Sequence, residues 1–172
     1  AEPRARGKRG NVAQAPASAY YGEMNIAEDY ADLDERTQGI RLHDAAAFAG
    51  MRAAGRLAAE ALDMLVPHVV PEALTIDLDE MVRNFVLDRG AVPATIFYRG
   101  YSHSSCISIN HVVCHGIPGA KRLKDGDIVN IDVTVIKDGW HGATSRMYFV
   151  GKPSVLAKRL VDVTREAKFR GI

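Results

Sequence analysis

The sequence predicts an α+β fold in which an antiparallel sheet is flanked by helices. Two stretches with apolar residues at helical spacing precede a region rich in β-forming residues, and a third helical stretch follows it. An Asp-Gly pair divides the β region and is typical of a tight hairpin, whose two strands run antiparallel. Helices and strands that occupy separate parts of the chain favour this fold class.

Length and composition indicate a single globular domain. The chain has 172 residues, and its 22 basic and 21 acidic residues nearly balance, so the net charge does not indicate a nucleic-acid-binding protein. No apolar run reaches the length of about 20 residues that a membrane helix needs. The two cysteines, Cys106 and Cys114, lack CxxC spacing, which favours neither a disulfide scaffold nor a zinc site and predicts a cytoplasmic location.

Residues 1–42 are predicted to be a disordered tail and linker, and residues 43–172 the folded domain. The start of the chain is rich in Ala, Gly, Pro and Arg and offers little apolar surface to bury. Its basic side chains could contact RNA or an acidic surface, although a solvated tail is the simpler interpretation. These side chains are Arg4, Arg6, Lys8 and Arg9.

The first helix is predicted to begin near His43, with Asp44 as its N-cap, and to stop at Pro67. Its apolar residues recur at the spacing of one helical face, which predicts that this face packs on a core. The residues of this stripe are Phe48, Met51, Ala58, Leu62 and Leu65.

The other two helices are also predicted from capping residues and apolar stripes. Asp77 and Glu80 fit a capping box at the start of the second helix, and Gly90 ends it. Ser154 caps the last helix, which ends at Gly171. The two stripes are Leu78, Met81, Val82 and Phe85, and then Leu156, Leu160, Val163 and Ala167.

The region between the second and last helices is predicted to form strands. Ile107 and Ile109 alternate with polar neighbours, and a run of β-forming residues surrounds Ile131. Asp138-Gly139 is the hairpin signal, and residues 140–150 form the returning strand.

Asp132 lies inside this apolar strand, where a carboxylate is costly unless it is paired or bound to a metal ion. A hairpin loop of two or four residues places position 143 diagonal to Asp132 or directly opposite it. Two carboxylates so placed could bridge a pair of metal ions, but position 143 is Ala143. The residues alone are therefore also consistent with a salt-bridged or hydrogen-bonded carboxylate.

Two long adjacent motifs resemble those of bacterial-type (type I) methionine aminopeptidases. The first, CISINHVVCHGIP, runs from Cys106 to Pro118, and the second, LKDGDIVNIDVTVIKDG, runs from Leu123 to Gly139. Weaker similarity extends from about residue 40 to the C-terminus. The resemblance implies half of a pita-bread fold, the fold of creatinase and the aminopeptidases, in which two related halves enclose a site for two divalent cations.

The resemblance also implies roles for individual residues. The family residue that matches Asp132 coordinates a metal ion, and the residue that matches Ala143 is an aspartate that bridges both metals. The histidine that matches His115 is catalytic: it lies outside the metal shell and contacts the substrate or the developing tetrahedral intermediate, whose charge a donor would stabilise. A packed histidine after a strand is the alternative interpretation of His115.

Three further residues match the pocket for the methionine side chain, namely Tyr98, Tyr101 and Cys106. Apolar, polarizable walls suit a thioether. Ordinary packing in the core or at a strand edge is the alternative interpretation of all three.

The chain departs from the family pattern in several places. Arg99 replaces a histidine near the substrate entrance, and His111 replaces a glutamate. The family's remaining metal ligands, a histidine and two glutamates, belong to its second half, whereas this chain has no histidine after His141 and only Glu166 on the last helix. The divalent metal expected for the family is Co, Mn, Fe or Zn, and its binding by this chain alone is not expected.

Three functions remain open at this point. The first is a metal-dependent hydrolase that removes the N-terminal methionine of nascent proteins, of which this truncated chain is inactive or weakly active alone. The alternative is a non-catalytic pita-bread binding module, associated with the ribosome or nascent chains through the basic tail. The third is a homodimer in which a second copy replaces the missing C-terminal half.

Overall fold

A computed structural model describes residues 43–96 and 98–172, so the predictions for residues 1–42 lie outside the described residues. The described helices are α1 (Ala45–Leu65), α2 (Thr75–Leu87) and α3 (Val155–Gly171), and a 3-10 turn spans Tyr98–Gly100. The described strands are β1 (Val92–Pro93), β2 (Ser105–Ile109), β3 (Ile128–Lys137) and β4 (Trp140–Phe149). The predicted α+β class is confirmed. Among the described helices, none has the length and apolarity to cross a membrane.

Strand β3 is the centre of an antiparallel sheet. It pairs with β4 along its whole length and with β2 and the short β1 on its other edge. Lys137 lies opposite Trp140, so the hairpin loop has only two residues, Asp138 and Gly139. Their φ angles are 51° and 79°, which is the left-handed conformation that a tight hairpin turn of this kind requires at both positions. The predicted Asp-Gly hairpin is confirmed.

The sheet has one face covered by helices and one open face. On β3 the residues Val129, Ile131, Val133 and Val135 are fully buried, and they belong to the same core cluster as residues of α1 and α2. The alternate residues Asn130, Asp132 and Thr134 point to the opposite face and are only partly buried. This alternation follows from the two-residue period of a strand.

Helix α1 begins as predicted but buries less of its stripe. The Asp44 carboxylate accepts a hydrogen bond from the Ala47 N–H at 2.9 Å, as an N-cap residue should. Phe48 and Met51 were expected in the core, and this expectation was wrong, because their side chains are 58% and 46% exposed. The buried residues of α1 begin only at Ala54, so the first turns of the helix extend past the core.

Helix α2 begins two residues earlier than predicted, and the proposed capping box is wrong. Its first residue is Thr75, and the N-cap residue Leu74 has no side-chain cap. Backbone carbonyls from a distant loop replace the cap: the N–H groups of Thr75 and Ile76 donate to Lys121 and Gly119 at 3.1 and 3.0 Å. Gly90 follows the helix with a φ of 66°, which suits the predicted glycine stop.

Helix α3 is capped as predicted, since the Ser154 hydroxyl accepts from the Ala157 N–H at 3.1 Å. No residue of this helix is buried by any described residue. Its apolar stripe is open to solvent, with Leu156 78%, Leu160 61% and Val163 56% exposed. The remainder of the fold in residues 43–172 therefore does not supply the surface on which this stripe packs.

The contact between β4 and α1 gives a stability prediction. A Cβ added at Gly142 would overlap the carbonyl group of Ala54 on α1, whereas a Cβ added at Gly55 of the same helix would meet no atom within 4 Å. We expect Gly142→Ala to destabilise the domain by about 1–3 kcal/mol, because α1 must move away from the sheet. Gly55→Ala should stabilise it by about 0.5–1 kcal/mol through its effect on the helix.

Urea unfolding of both variants, followed by the single tryptophan, Trp140, measures this difference. The two substitutions add the same methyl group, so each controls for the other. Equal effects of the same sign would contradict the close packing of β4 on α1.

Candidate functional site

The open face of the sheet brings several of the predicted site residues together. Asp132 of β3 lies opposite Cys106 of β2 on one side and Ser145 of β4 on the other. Ala143 lies opposite Thr134 and is therefore diagonal to Asp132, which is the position that a two-residue hairpin loop predicts. Side chains at such diagonal positions are about 7–8 Å apart, within reach of two carboxylates that share ions.

Asp132 is a half-buried carboxylate in an unusual electrostatic position. Burial raises its pKa above the ordinary value, and the charge of a nearby protonated His115 lowers it again in part. None of the ion pairs among the described residues includes Asp132. The salt bridge that was the structural alternative for this carboxylate is therefore not formed within residues 43–96 and 98–172.

His115 is held over the sheet by its neighbour Gly116. The Gly116 carbonyl accepts from the Ile107 N–H at 2.8 Å, and the Gly116 N–H donates to the Ser108 hydroxyl at 3.0 Å. A Cβ at this position would overlap the Ile107 carbonyl, so only glycine allows the loop to lie this close to β2. His115 itself has a φ of 54°, a strained conformation for a residue with a side chain, and its imidazole is exposed.

The predicted pocket residues are only partly assembled. The Tyr101 hydroxyl donates to the Ser105 carbonyl at 2.8 Å and also contacts the Cys106 thiol. Burial raises the pKa of Cys106, with a further rise from Asp132, so the thiol stays protonated near neutral pH and is not a nucleophile. Tyr98 lies in the 3-10 turn, where its ring is 65% exposed and is approached by the Arg99 guanidinium at 5.4 Å.

Asp79 of α2 organises the start of β2, and the sequence analysis missed it. Its buried carboxylate accepts from the N–H groups of Ser104 and Ser105 at 3.0 and 2.8 Å and from the Ser105 hydroxyl at 2.6 Å. His103 approaches the same carboxylate, with its Nδ1 3.5 Å away and its side chain only 21% exposed. The available signal was an acidic residue directly beside the buried stripe of α2.

The donor set does not by itself make a metal site. Within the described ranges no group of three or more His, Cys, Asp and Glu side chains is arranged to hold a metal ion. Asp132 offers one carboxylate, and the methyl group of Ala143 offers no ligand where a second would stand. Divalent cations in enzymes normally need several protein ligands, so residues 43–172 as described do not fit a complete centre.

Comparison with known proteins shows the same architecture in one family. The family described as "Metallopeptidase family M24" matches residues 49–172. A methionine aminopeptidase of Rickettsia prowazekii is 54% identical over 133 residues, which are 77% of this chain and 51% of that protein. A methionine aminopeptidase of Salmonella typhimurium is 56% identical over 124 residues, which are 71% of this chain and 47% of that protein.

A solved structure gives the fold. The crystal structure of methionine aminopeptidase from Rickettsia prowazekii superimposes with a TM-score of 0.76 at 54% identity, covering 78% of this chain and 54% of that one. The antiparallel sheet with flanking helices is thus half of a pita-bread fold, and the chain spans about half the length of the curated relatives that it matches. The family name implies a divalent metal without identifying which. On these matches, the chain belongs to metallopeptidase family M24.

Proposed function

We propose that the chain forms one half of the substrate site of a methionine aminopeptidase, a hydrolase that removes the N-terminal methionine from peptides or nascent proteins. The observation that carries the proposal is the convergence of Asp132, Cys106 and His115 on the open face of the sheet. Two relatives named methionine aminopeptidase, each more than half identical to this chain over the matched residues, support the substrate class.

Each described residue has a role that its surroundings support. Among the described residues we assign Asp132 as a metal ligand, and cobalt, manganese, iron or zinc is the metal that we propose. A metal held by Asp132 together with ligands of a second half would supply an activated water and polarise the peptide carbonyl. His115, exposed and held by the Gly116 loop, donates a hydrogen bond to the carbonyl oxygen as negative charge develops there.

The walls of the pocket select the side chain. Tyr101 and Cys106 present a neutral phenol and a neutral thiol, because burial raises the pKa of both groups. Neutral, polarizable walls favour a thioether over a charged side chain. Tyr98, which is exposed at the rim, completes this pocket in our proposal.

The open face and the α3 stripe are the surfaces that we propose to pack against a second half like that of the longer relatives. Contact of the basic tail with the ribosome, dimerisation of this chain and cytoplasmic location stay predictions. A non-catalytic binding module is not favoured, because the matched relatives are named as enzymes.

The first prediction from this function concerns turnover. We expect the chain alone, supplied with manganese, cobalt or iron(II), to release no more methionine from a Met-Ala-Ser peptide than its His115→Ala variant.

Addition of the second half of the Rickettsia prowazekii relative should give release only when Ala143 is changed to Asp. Adding His115→Ala to the active Ala143→Asp chain in that mixture should lower kcat by about 100-fold or more, because the oxyanion donor is lost. Adding Gly116→Ala instead should have a similar effect, because the donor loses its position.

The mixture also has a specificity control. A Leu-Ala-Ser peptide should be cleaved at least about tenfold less efficiently than the methionine peptide, since a pocket discriminates similar apolar side chains by 1–3 kcal/mol. Release that survives His115→Ala, or that does not distinguish the two peptides, would sink the proposal.

A second prediction concerns metal affinity. Ala143→Asp places a carboxylate diagonal to Asp132 on the same face, so we expect manganese binding about tenfold tighter or more, measured by calorimetry. His141→Asp is the matched control, because it adds an aspartate on the same strand opposite Ile136, further from Asp132. The gain in manganese affinity should vanish when Asp132→Asn is added to Ala143→Asp. An equal gain from His141→Asp would show that the diagonal placement of residue 143 beside Asp132 does not matter for metal binding.

A third prediction concerns pH. Because burial raises the pKa of Asp132 in the folded state, the folded chain binds more protons than the unfolded chain just above the unfolded pKa of about 3.9. The stabilising contribution of this carboxyl group to the free energy of unfolding is therefore fully present below the unfolded pKa. It is lost as the pH rises through the higher folded pKa. Asp132→Asn should remove this loss, so it should gain stability relative to the parent chain at neutral pH and not at about pH 3.

Urea unfolding of the parent and of Asp132→Asn across this pH range measures the effect. In His115→Ala the imidazolium is gone, so the carboxylate pKa observed by NMR should rise further at mildly acidic pH. Parallel pH profiles for the parent and Asp132→Asn would show that burial does not perturb this carboxylate.

A further inference from the structure

A groove on the helix-covered side of the sheet carries a concentration of positive charge. Its volume is about 540 Å³, and eight residues from α1, the turn after α2 and the end of β3 line it. Four of them are cationic and one is acidic. The lining residues are Ala49, Arg52, Ala53, Arg56, Leu57, Glu60, Arg89 and Lys137.

The groove lies on the side of the sheet opposite the candidate site. Lys137 is the last residue of β3 and has the parity of Val133 and Val135, which face the helices, whereas Asp132 faces the other way. The core therefore separates the groove from Asp132, and its cations are not explained by the proposed peptide hydrolysis.

The cations of the groove are held in two sets. Arg52 and Arg56 stand one helical turn apart on α1, which places their Cβ atoms about 5–6 Å apart. Arg89 lies 3.5 Å above the Phe85 ring and donates to the Phe85 carbonyl at 3.1 Å. Lys137 donates to the Arg89 carbonyl at 3.1 Å, which joins the second pair, and its ammonium also lies 3.9 Å from the exposed Asp138 carboxylate.

The composition of the groove limits what it can bind. Its apolar floor is small, because Leu57 is only 5% exposed, and none of the eight lining residues is aromatic. Helices that insert into membranes present large apolar side chains, and a protein hot spot seats its anchors in a well-packed, desolvated pocket, which this open, charged groove does not offer. Several cations along a groove suit instead the successive phosphates of one nucleic-acid strand, which are contacted without reading the bases.

The one acidic residue of the groove, Glu60, bears on the choice between RNA and DNA. A carboxylate beside four cations weakens phosphate binding, but it can accept a hydrogen bond from a ribose 2′-hydroxyl, the group by which a protein distinguishes RNA from DNA. We infer that the groove between Arg52, Arg56, Arg89 and Lys137 binds the backbone of single-stranded RNA, with Glu60 accepting from a 2′-hydroxyl.

The test is fluorescence anisotropy of a labelled oligouridylate of about 12 nucleotides with the full chain. Arg52→Gln with Arg56→Gln removes two groove cations, while Arg159→Gln with Arg165→Gln removes two exposed cations of α3 and is the matched control. The groove variant should reduce the slope of log K against log salt by about 1.4, which is a loss of about 25-fold in affinity near 0.1 M salt. The control should retain the parent affinity within about twofold.

A second comparison tests the choice of RNA. The parent chain should bind oligouridylate more tightly than oligodeoxyuridylate of the same length, and Glu60→Gln should abolish that preference while tightening the binding of the DNA strand. Circular dichroism confirms that each variant is folded. Equal losses in the groove and control variants overturn the binding site, and equal affinity of the parent for RNA and DNA overturns the role of Glu60.

Discussion

The register of the β3–β4 hairpin is the constraint on which the rest of the structure depends. A two-residue turn at Asp138-Gly139 pairs Lys137 with Trp140, and every later pair follows from that one. A shift by one residue would move Asp132 from the open face to the helix-covered core and would expose its apolar neighbours. The apolar alternation and the turn chemistry therefore specify the same register, and the position of the carboxylate is a consequence.

The candidate site also depends on two contacts that connect distant parts of the chain. Gly116 holds the His115 loop against β2, and Asp79 of α2 gathers the N–H groups that lead into the same strand. Both contacts end on residues 104–108, beside the pairing of Cys106 with Asp132. Strand β2, which carries Cys106, is thus fixed from both ends, which is how a site keeps its geometry when its own side chains make few bonds.

The sequence was sufficient where the signal is local and insufficient where it is not. The Asp44 and Ser154 caps and the Asp138-Gly139 turn each act on residues within three positions, so their patterns predicted the structure. The start of α2 was misplaced because its N–H groups bond to carbonyls more than 40 residues away. Phe48 and Met51 were misassigned because periodicity identifies a face of a helix without showing how far the core extends along it.

Alanine at position 143 affects the charge of the open face but not the pairing of the strands that form it. Position 143 pairs with Thr134 on a fully formed hairpin, so the strand does not need a carboxylate there to fold. An aspartate at that position would add a second negative charge near Asp132, whose pKa burial already raises, and like charges would raise it further. With alanine at position 143 this repulsion is absent from the open face. The hydrogen bonds that place Tyr101 and Gly116 against β2 do not involve position 143, so this part of the open face forms without a carboxylate there.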